Sequence, residues 1–269
     1  MAGSMKKRYP NEFLYSLFTL LAAIIVVHAF YIAVVRPNAQ AVLLAQAAAM
    51  KTDANYVPQR SLWVVIKDYE QESCLILMLW ALAIIAYKGR ATLRERAMLD
   101  EDLLQVPEGM RILPEDTREY SRQLESLPPD RQFMLPARAL KAALARFGAT
   151  RNVQDVSDAC RAVVQAEAER LDSELSMVRY IAWAIPAIGF IGTVRGIGDA
   201  LAEAHKAVTG DIAGVTAGLG VAFNSTFIAL LLSLLLMFLL HNLQLAQERL
   251  VLDSETYLDQ RLLRHLQVR

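Results

Sequence analysis

The sequence predicts an all-α integral membrane protein with four transmembrane helices, the third and fourth carrying long cytoplasmic helical extensions. Three observations lead there. Hydrophobic residues make up 55% of the chain, yet they gather in four runs rather than spreading evenly. Lys and Arg crowd one side of those runs. Residues 152–185 contain neither Gly nor Pro, so a long uninterrupted helix leads into the third run.

The elements follow in order. Residues 1–12 form a cytoplasmic N-terminus, in which residues 1–4 (MAGS), ahead of a second methionine, read as a cloning remnant. Residues 13–35 form the first span; the run is too long for a cleaved signal and lacks a small-x-small exit. Residues 36–73 form a periplasmic loop. Residues 74–87 form the second span, a short one, with Lys88 and Arg90 placed to snorkel and Trp80 and Tyr87 suited to an interface. Residues 88–178 form a cytoplasmic helical domain, cut into short pieces by five prolines between 107 and 136. Within it "PARALKAALARFG" is one amphipathic helix, with Leu140, Leu144 and Phe147 on one face and Gly148 as its stop. Asn152 or Thr150 caps the long helix that follows. Residues 179–207 form the third span, 208–242 the fourth, and 243–269 a cytoplasmic C-terminal helix with an apolar seam at Leu250, Tyr257, Leu258, Leu262 and Leu266. The two extensions pack together as a stalk. Lys6, Lys7, Arg8, Lys88, Arg90, Arg94, Arg96, Arg179 and Arg249 all fall on one side, which puts both termini in the cytoplasm.

Composition excludes several function classes. Formal net charge is zero, so no global field points to nucleic acid. Cys74 in a span and Cys160 in a cytoplasmic helix suggest neither a disulfide nor a metal cluster. No nucleotide-binding loop, metal-ligand spacing or catalytic triad is present, and the reading is a non-enzyme without cofactor.

The chemistry lies in the last two spans. Ala182, Pro186, Gly189, Thr193, Gly196, Ala200 and Ala204 recur at steps of three or four and form one stripe. Gly214, Gly218, Ala222, Thr226, Ala229 and Ser233 form another. With Gly192 beside the first, these small residues let helices approach closely in lipid. Pro186 is a hinge, and the carbonyl it leaves unbonded needs a neighbour or water. Each stripe bears one mid-membrane hydroxyl, Thr193 and Thr226, with Asn224 and Ser225 beside the second. No span holds a carboxylate at its middle, which a self-contained carrier would need. Arg195 and Asp199, four apart, form a rim ion pair, and Glu203 continues that face. His28 reads as a packed or interface-facing histidine.

"IPAIGFIGTVRGIGDAL" followed by "GLGVAFNSTFIALLLSLLL" resembles the core of the MotA/TolQ/ExbB proton-channel family. The resemblance is strongest over residues 180–240 and places the family's two pore threonines at Thr193 and Thr226 and its hinge proline at Pro186. Four spans resemble the MotA arrangement, while the Gly-Thr-Val wording resembles ExbB and TolQ. Arg195, where relatives carry a bulky apolar residue, and Asp199, where a histidine is common, depart from the pattern. The resemblance implies a pentamer in the bacterial inner membrane around a dimeric, single-span MotB/ExbD/TolR-like partner. The partner's membrane aspartate would pass protons, or sodium ions, beside the threonines, and ion flow would do work on the envelope. The competing reading, from another class, is a non-conducting scaffold that assembles through its small-residue faces.

The orientation is open to a direct check. In a background lacking Cys74 and Cys160, a cysteine at Ser61 should react with an impermeant thiol reagent in intact spheroplasts, and one at Ser126 should not. Equal reaction at the two sites would remove the second span.

Overall fold

The computed structural model describes residues 5–52, 56, 59–107 and 109–268, with backbone only for 5–11; the proposed remnant at residues 1–4 lies outside them. The described residues are helical, with no strand beyond one bridge between Ile112 and Leu266. In chain order the helices are α1 (Met5–Phe30), α2 (Arg36–Thr52), α3 (Leu62–Val65), α4 (Tyr69–Ala97), α5 (Thr117–Glu125), α6 (Pro129–Gln132), α7 (Leu135–Thr150), α8 (Val153–Glu174), α9 (Ser176–Ala202), α10 (Ala204–Ala207) and α11 (Ala213–Arg261). Four stretches are long and apolar enough to cross a membrane: Glu12–Thr52, Tyr69–Asp100, Val153–Ala202 and Ala213–His265. The chain divides into two units. One holds Met1–Ile85 and Met177–Leu240, the other Ala86–Ser176 and His241–Arg269.

The first unit carries the apolar runs. A π turn at Tyr31–Val35 joins α1 to α2 just before Pro37, where the ring nitrogen has no hydrogen to donate. Its buried positions, Ala23, Val27, Tyr31, Val35 and Ala39, recur every four residues. In a straight α-helix each such step drifts about 40°. The wider π turn takes up part of that drift and keeps the stripe inward. Trp80 donates to the Ser16 carbonyl at 3.0 Å and Tyr15 to that of Ala83 at 3.3 Å, fastening α1 to α4.

Several boundaries differ from those read in the sequence. The expected loop at 36–73 is helical through Thr52, because "AQAVLLAQAAAM" is built almost wholly from strong helix formers. The helix that contains the expected second span is longer than the span: α4 has 29 residues and begins at Tyr69, its first turn holding Glu70 and Glu72. Acids in that position favour the helix through its dipole instead of ending it. The helix that contains the expected third span ends at Ala202, and that of the fourth begins at Ala213. A turn with Gly210 at φ +94° separates them, and Asp211 accepts from the Ala213 amide at 3.1 Å.

The second unit is a helical domain with its own core. Leu140, Leu144 and Phe147 are fully buried on one face of α7, as their spacing predicts. They share a core with Val156, Cys160 and Val164 of α8 and with Tyr257, Leu258, Leu262 and Leu266 near the C-terminus. Both helical extensions thus supply the same core, together with α7 and the 98–112 segment. Asn152 caps α8, its side chain accepting from the Gln154 amide at 2.9 Å. Gly148 does not stop α7. The helix runs to Thr150, and Arg151 closes it in the left-handed region at φ 52°. Gly148 instead gives α5 room, since a β-carbon there would lie 2.8 Å from Thr117 Oγ1. Tyr257 donates to the Glu101 carbonyl at 3.0 Å and accepts from the Leu103 amide at 3.2 Å. Glu167, 1% exposed, sits between Arg138 at 2.9 Å and Arg170, so this buried charge is paired.

If the C-terminal seam is core, Leu258→Ala should lose about 2–5 kcal/mol, and Leu252→Ala, 61% exposed, should stay within about 0.5 kcal/mol. Thermal unfolding of the full chain in mild detergent reads the contrast; equal shifts would contradict this core.

Candidate functional site

The two small-residue stripes face each other within one chain. A β-carbon on Gly189 would lie 2.5 Å from Ala229 Cβ, and one on Gly192 2.4 Å from Ser225 Cβ. One on Gly196 would meet the Ala222 nitrogen at 2.4 Å and the Gly218 oxygen at 2.6 Å. Gly218 returns the contact onto Ala200, and Gly214 lies against Glu203. The backbones of α9 and α11 therefore touch along this seam, as small residues in lipid allow. The seam takes up most of both stripes, with Thr193 and Thr226 left half-buried and Ala204 exposed.

Pro186 lies inside α9 and leaves the Ala182 carbonyl without its helical donor. Ser233 of α11 supplies the replacement, donating to that carbonyl at 3.0 Å. The need for a neighbour is met by the last small residue of the opposite stripe.

At the centre of the seam the hydroxyls of Thr193 and Thr226 touch each other. Each also lies 3.3 Å from both the Gly189 and the Ala222 carbonyl oxygens. Two hydroxyls from different helices thus share two carbonyls belonging one to each helix. Asn224 is half-buried and is not among the groups they bond to. Ser225 is 1% exposed and turns the other way, toward α4, where its Oγ accepts from Gln71 Nε2 at 3.4 Å.

That contact belongs to a polar cluster that the sequence reading missed. Glu70, Gln71 and Glu72 are consecutive and buried, and each reaches a different helix. Glu70 takes Arg195 in a two-point clamp, Nε to Oε1 at 2.7 Å and Nη2 to Oε2 at 2.8 Å. Asp199 lies 3.6 Å from the same guanidinium. The expected Arg195–Asp199 pair exists, but it is the secondary one, because the bidentate fork fits Glu70. Glu72 bonds His28 Nδ1 at 2.6 Å and Arg36 Nη2 at 2.6 Å, so His28 is exposed but held by a hydrogen bond to an acid. Arg36 also stacks 4.7 Å over the Tyr69 ring. The signal was legible in principle: an acid-Gln-acid run immediately before an apolar segment marks a helical first turn. Assigning it to a loop hid it.

Cys74 and Cys160 are buried free thiols, and the described residues hold no cluster of His, Cys, Asp and Glu able to bind a metal.

Residues 132–256 match the MotA/TolQ/ExbB proton channel family. The matched region includes α7, α8, α9 and most of α11, hence both threonines and the whole seam. It is wider than the motif resemblance, and it stops short of α1 and α4. No curated protein matches the chain. The matched family is a channel family and not an enzyme family. Beside that match stand the four described stretches that are long and apolar enough to cross a bilayer.

Two glycines on one helix test the seam. Gly196→Ala should destabilise the fold or abolish it, because its β-carbon has no space. Gly198→Ala, with nothing within 4 Å, should be neutral or gain up to about 1 kcal/mol of helix propensity. Detergent-solubilised yield and melting temperature decide; the same loss at both positions would contradict the close approach.

Proposed function

We propose that the chain is the channel-forming stator subunit of a membrane motor driven by an ion-motive force. Five copies surround a dimeric, single-span partner that resembles MotB, ExbD or TolR and carries an aspartate in the membrane. The assembly lies in the bacterial inner membrane with both termini in the cytoplasm. Protons move through it, with sodium as the alternative ion, and their flow is converted to mechanical work on the envelope.

The observation that carries this reading is the Thr193–Thr226 pair, half-buried in the seam inside the region that matches the proton channel family. A hydroxyl both donates and accepts, and its hydrogen rotates freely. The pair can therefore bond to a partner carboxylate, accept from the protonated acid, or ligate a passing cation, while the Gly189 and Ala222 carbonyls hold it in place between these states. Pro186, bonded around by Ser233, is the hinge at which α9 bends during the cycle.

The assembly faces follow from what the seam leaves over. With the small residues used inside the subunit, contacts to neighbouring copies and to lipid fall to the exposed bulky side chains of these helices, among them Trp183, Phe190, Val194, Phe223 and Phe227. This weakens the scaffold reading in its original form, since the small faces are no longer free to assemble. One observation favours a scaffold of another kind: each hydroxyl already has partners inside the chain.

Thr193→Val with Thr226→Val separates the two. Valine keeps the shape and removes the hydrogen bond. A carboxylate left without its partner loses about 1–3 kcal/mol per bond, so ion flux into proteoliposomes holding both chains should fall roughly tenfold or more. Native mass spectrometry in mild detergent should still show a pentamer. Undiminished flux with the pentamer intact would make the hydroxyls packing residues only.

A further inference from the structure

The first turn of α4 grips both helices of the seam on either side of the hydroxyls. Successive side chains on a helix diverge by about 100°, so neighbours in sequence reach different helices. Glu70 goes to α9. Its carboxylate takes Arg195 at two points, and its Cγ lies 3.1 Å from where a β-carbon on Gly192 would stand. Gly192 and Arg195 bracket Thr193, so α9 is held by one side chain just before and just after the hydroxyl. Gln71 goes to α11. It is fully buried, and its amide nitrogen donates to the Val65 carbonyl at 3.1 Å and to Ser225 Oγ at 3.4 Å. Ser225 is the immediate neighbour of Thr226. The Val65 bond anchors the amide to the turn ahead of α4, so its reach toward α11 is fixed.

The seam itself has little that sets its register. Contacts between glycine and alanine are shallow and lack direction, and in lipid no hydrophobic gain penalises a slip. A one-residue slip would turn each helix by about 100° and part the hydroxyls. Hydrogen bonds and a bidentate ion pair are directional, and they fix both height and rotation. Ser233 bonded to the Ala182 carbonyl is one such restraint, about ten residues, or roughly 15 Å, from the pair. Beside the threonines' own bonds to the Ala222 and Gly189 carbonyls, the Glu70 and Gln71 contacts add restraints within one turn of the hydroxyls. Burying the Glu70 carboxylate and the Gln71 amide to hold two helices is a poor route to stability alone, because apolar packing achieves as much without desolvation. It is a good route to a single register.

We propose that Glu70 and Gln71 are positioning residues for the Thr193–Thr226 pair: one dipeptide on α4 that sets where the hydroxyls of α9 and α11 meet. What the pair is for rests on the channel reading above; that its geometry depends on α4 does not.

Cross-linking tests the geometry without reference to transport. In a background without Cys74 and Cys160, cysteines replace Thr193 and Thr226, and oxidation by copper-phenanthroline in membranes forms an intramolecular disulfide, read by peptide mass from the monomer band. Cysteines replacing Ala182 and Ser233 serve as the distant control. Glu70→Ala and Gln71→Met should each slow the 193–226 link about fivefold or more while the control rate holds. The reversed pair, Glu70→Arg with Arg195→Glu, should bring the rate back. An unchanged 193–226 rate in both single variants would overturn the proposal, as would equal slowing of both cysteine pairs, which marks a general loss of fold. Should Glu70→Ala fail to accumulate, Gln71→Met, which removes no charge, decides by the same comparison. Flux is measured in parallel with the threonines in place. Flux that falls with the cross-linking rate supports positioning and channel together. A cross-linking effect in a protein that carries no flux with its partner would sink the channel reading and leave the positioning role standing.

Discussion

Three consecutive polar side chains at the start of α4 hold the membrane-competent unit together at one end. Glu70 commits to α9, Gln71 to α11 and Glu72 to α1 and α2. Each is buried, and a buried carboxylate or amide is tolerable only with its partners in reach. The burial of one helical turn therefore constrains the positions of all the other long helices around it. Remove a partner and a desolvated charge or amide is left behind, so the cost of rearrangement is concentrated at this one level.

The seam between α9 and α11 works by a different logic. Apart from the threonine pair and the Ser233 bond, it depends on missing side chains. A would-be β-carbon meets backbone at under 3 Å at Gly196 and Gly218, and the Ala229 and Ser225 side chains at Gly189 and Gly192. Such closeness lets the Thr193 and Thr226 hydroxyls reach each other and the opposite helix's carbonyl. It also answers why a membrane helix tolerates Pro186: the approach is near enough for Ser233 to satisfy the carbonyl that the proline strands. Glycines that weaken an isolated helix are what make the paired one possible.

The second unit follows the rules of a water-soluble domain. Its core is apolar and fed by α7, α8 and the end of α11, and its one deeply buried acid, Glu167, is flanked by two arginines. Prolines between 107 and 136 keep the linking pieces short, and the capping of α8 by Asn152 marks where the long helical run begins.

Periodicity along a single helix was enough to identify much of this. Four apolar runs, the two small-residue stripes, one hydroxyl on each stripe, the α7 face at Leu140, Leu144 and Phe147, and the C-terminal seam could all be read from spacing, because a helix writes its faces into the sequence at a fixed interval. The stranded carbonyl at Pro186 followed from covalent chemistry alone. The tertiary structure decided what faces what. The stripes could have served other chains; they pair with each other instead. Arg195 had an acid four residues away, yet its main partner is Glu70, 125 positions distant. An acid-Gln-acid run at the edge of an apolar segment is compatible with a solvated loop or with a buried first turn. Only the arrival of Arg195, Ser225, His28 and Arg36 from four other helices makes the second tolerable, and no local pattern records that convergence.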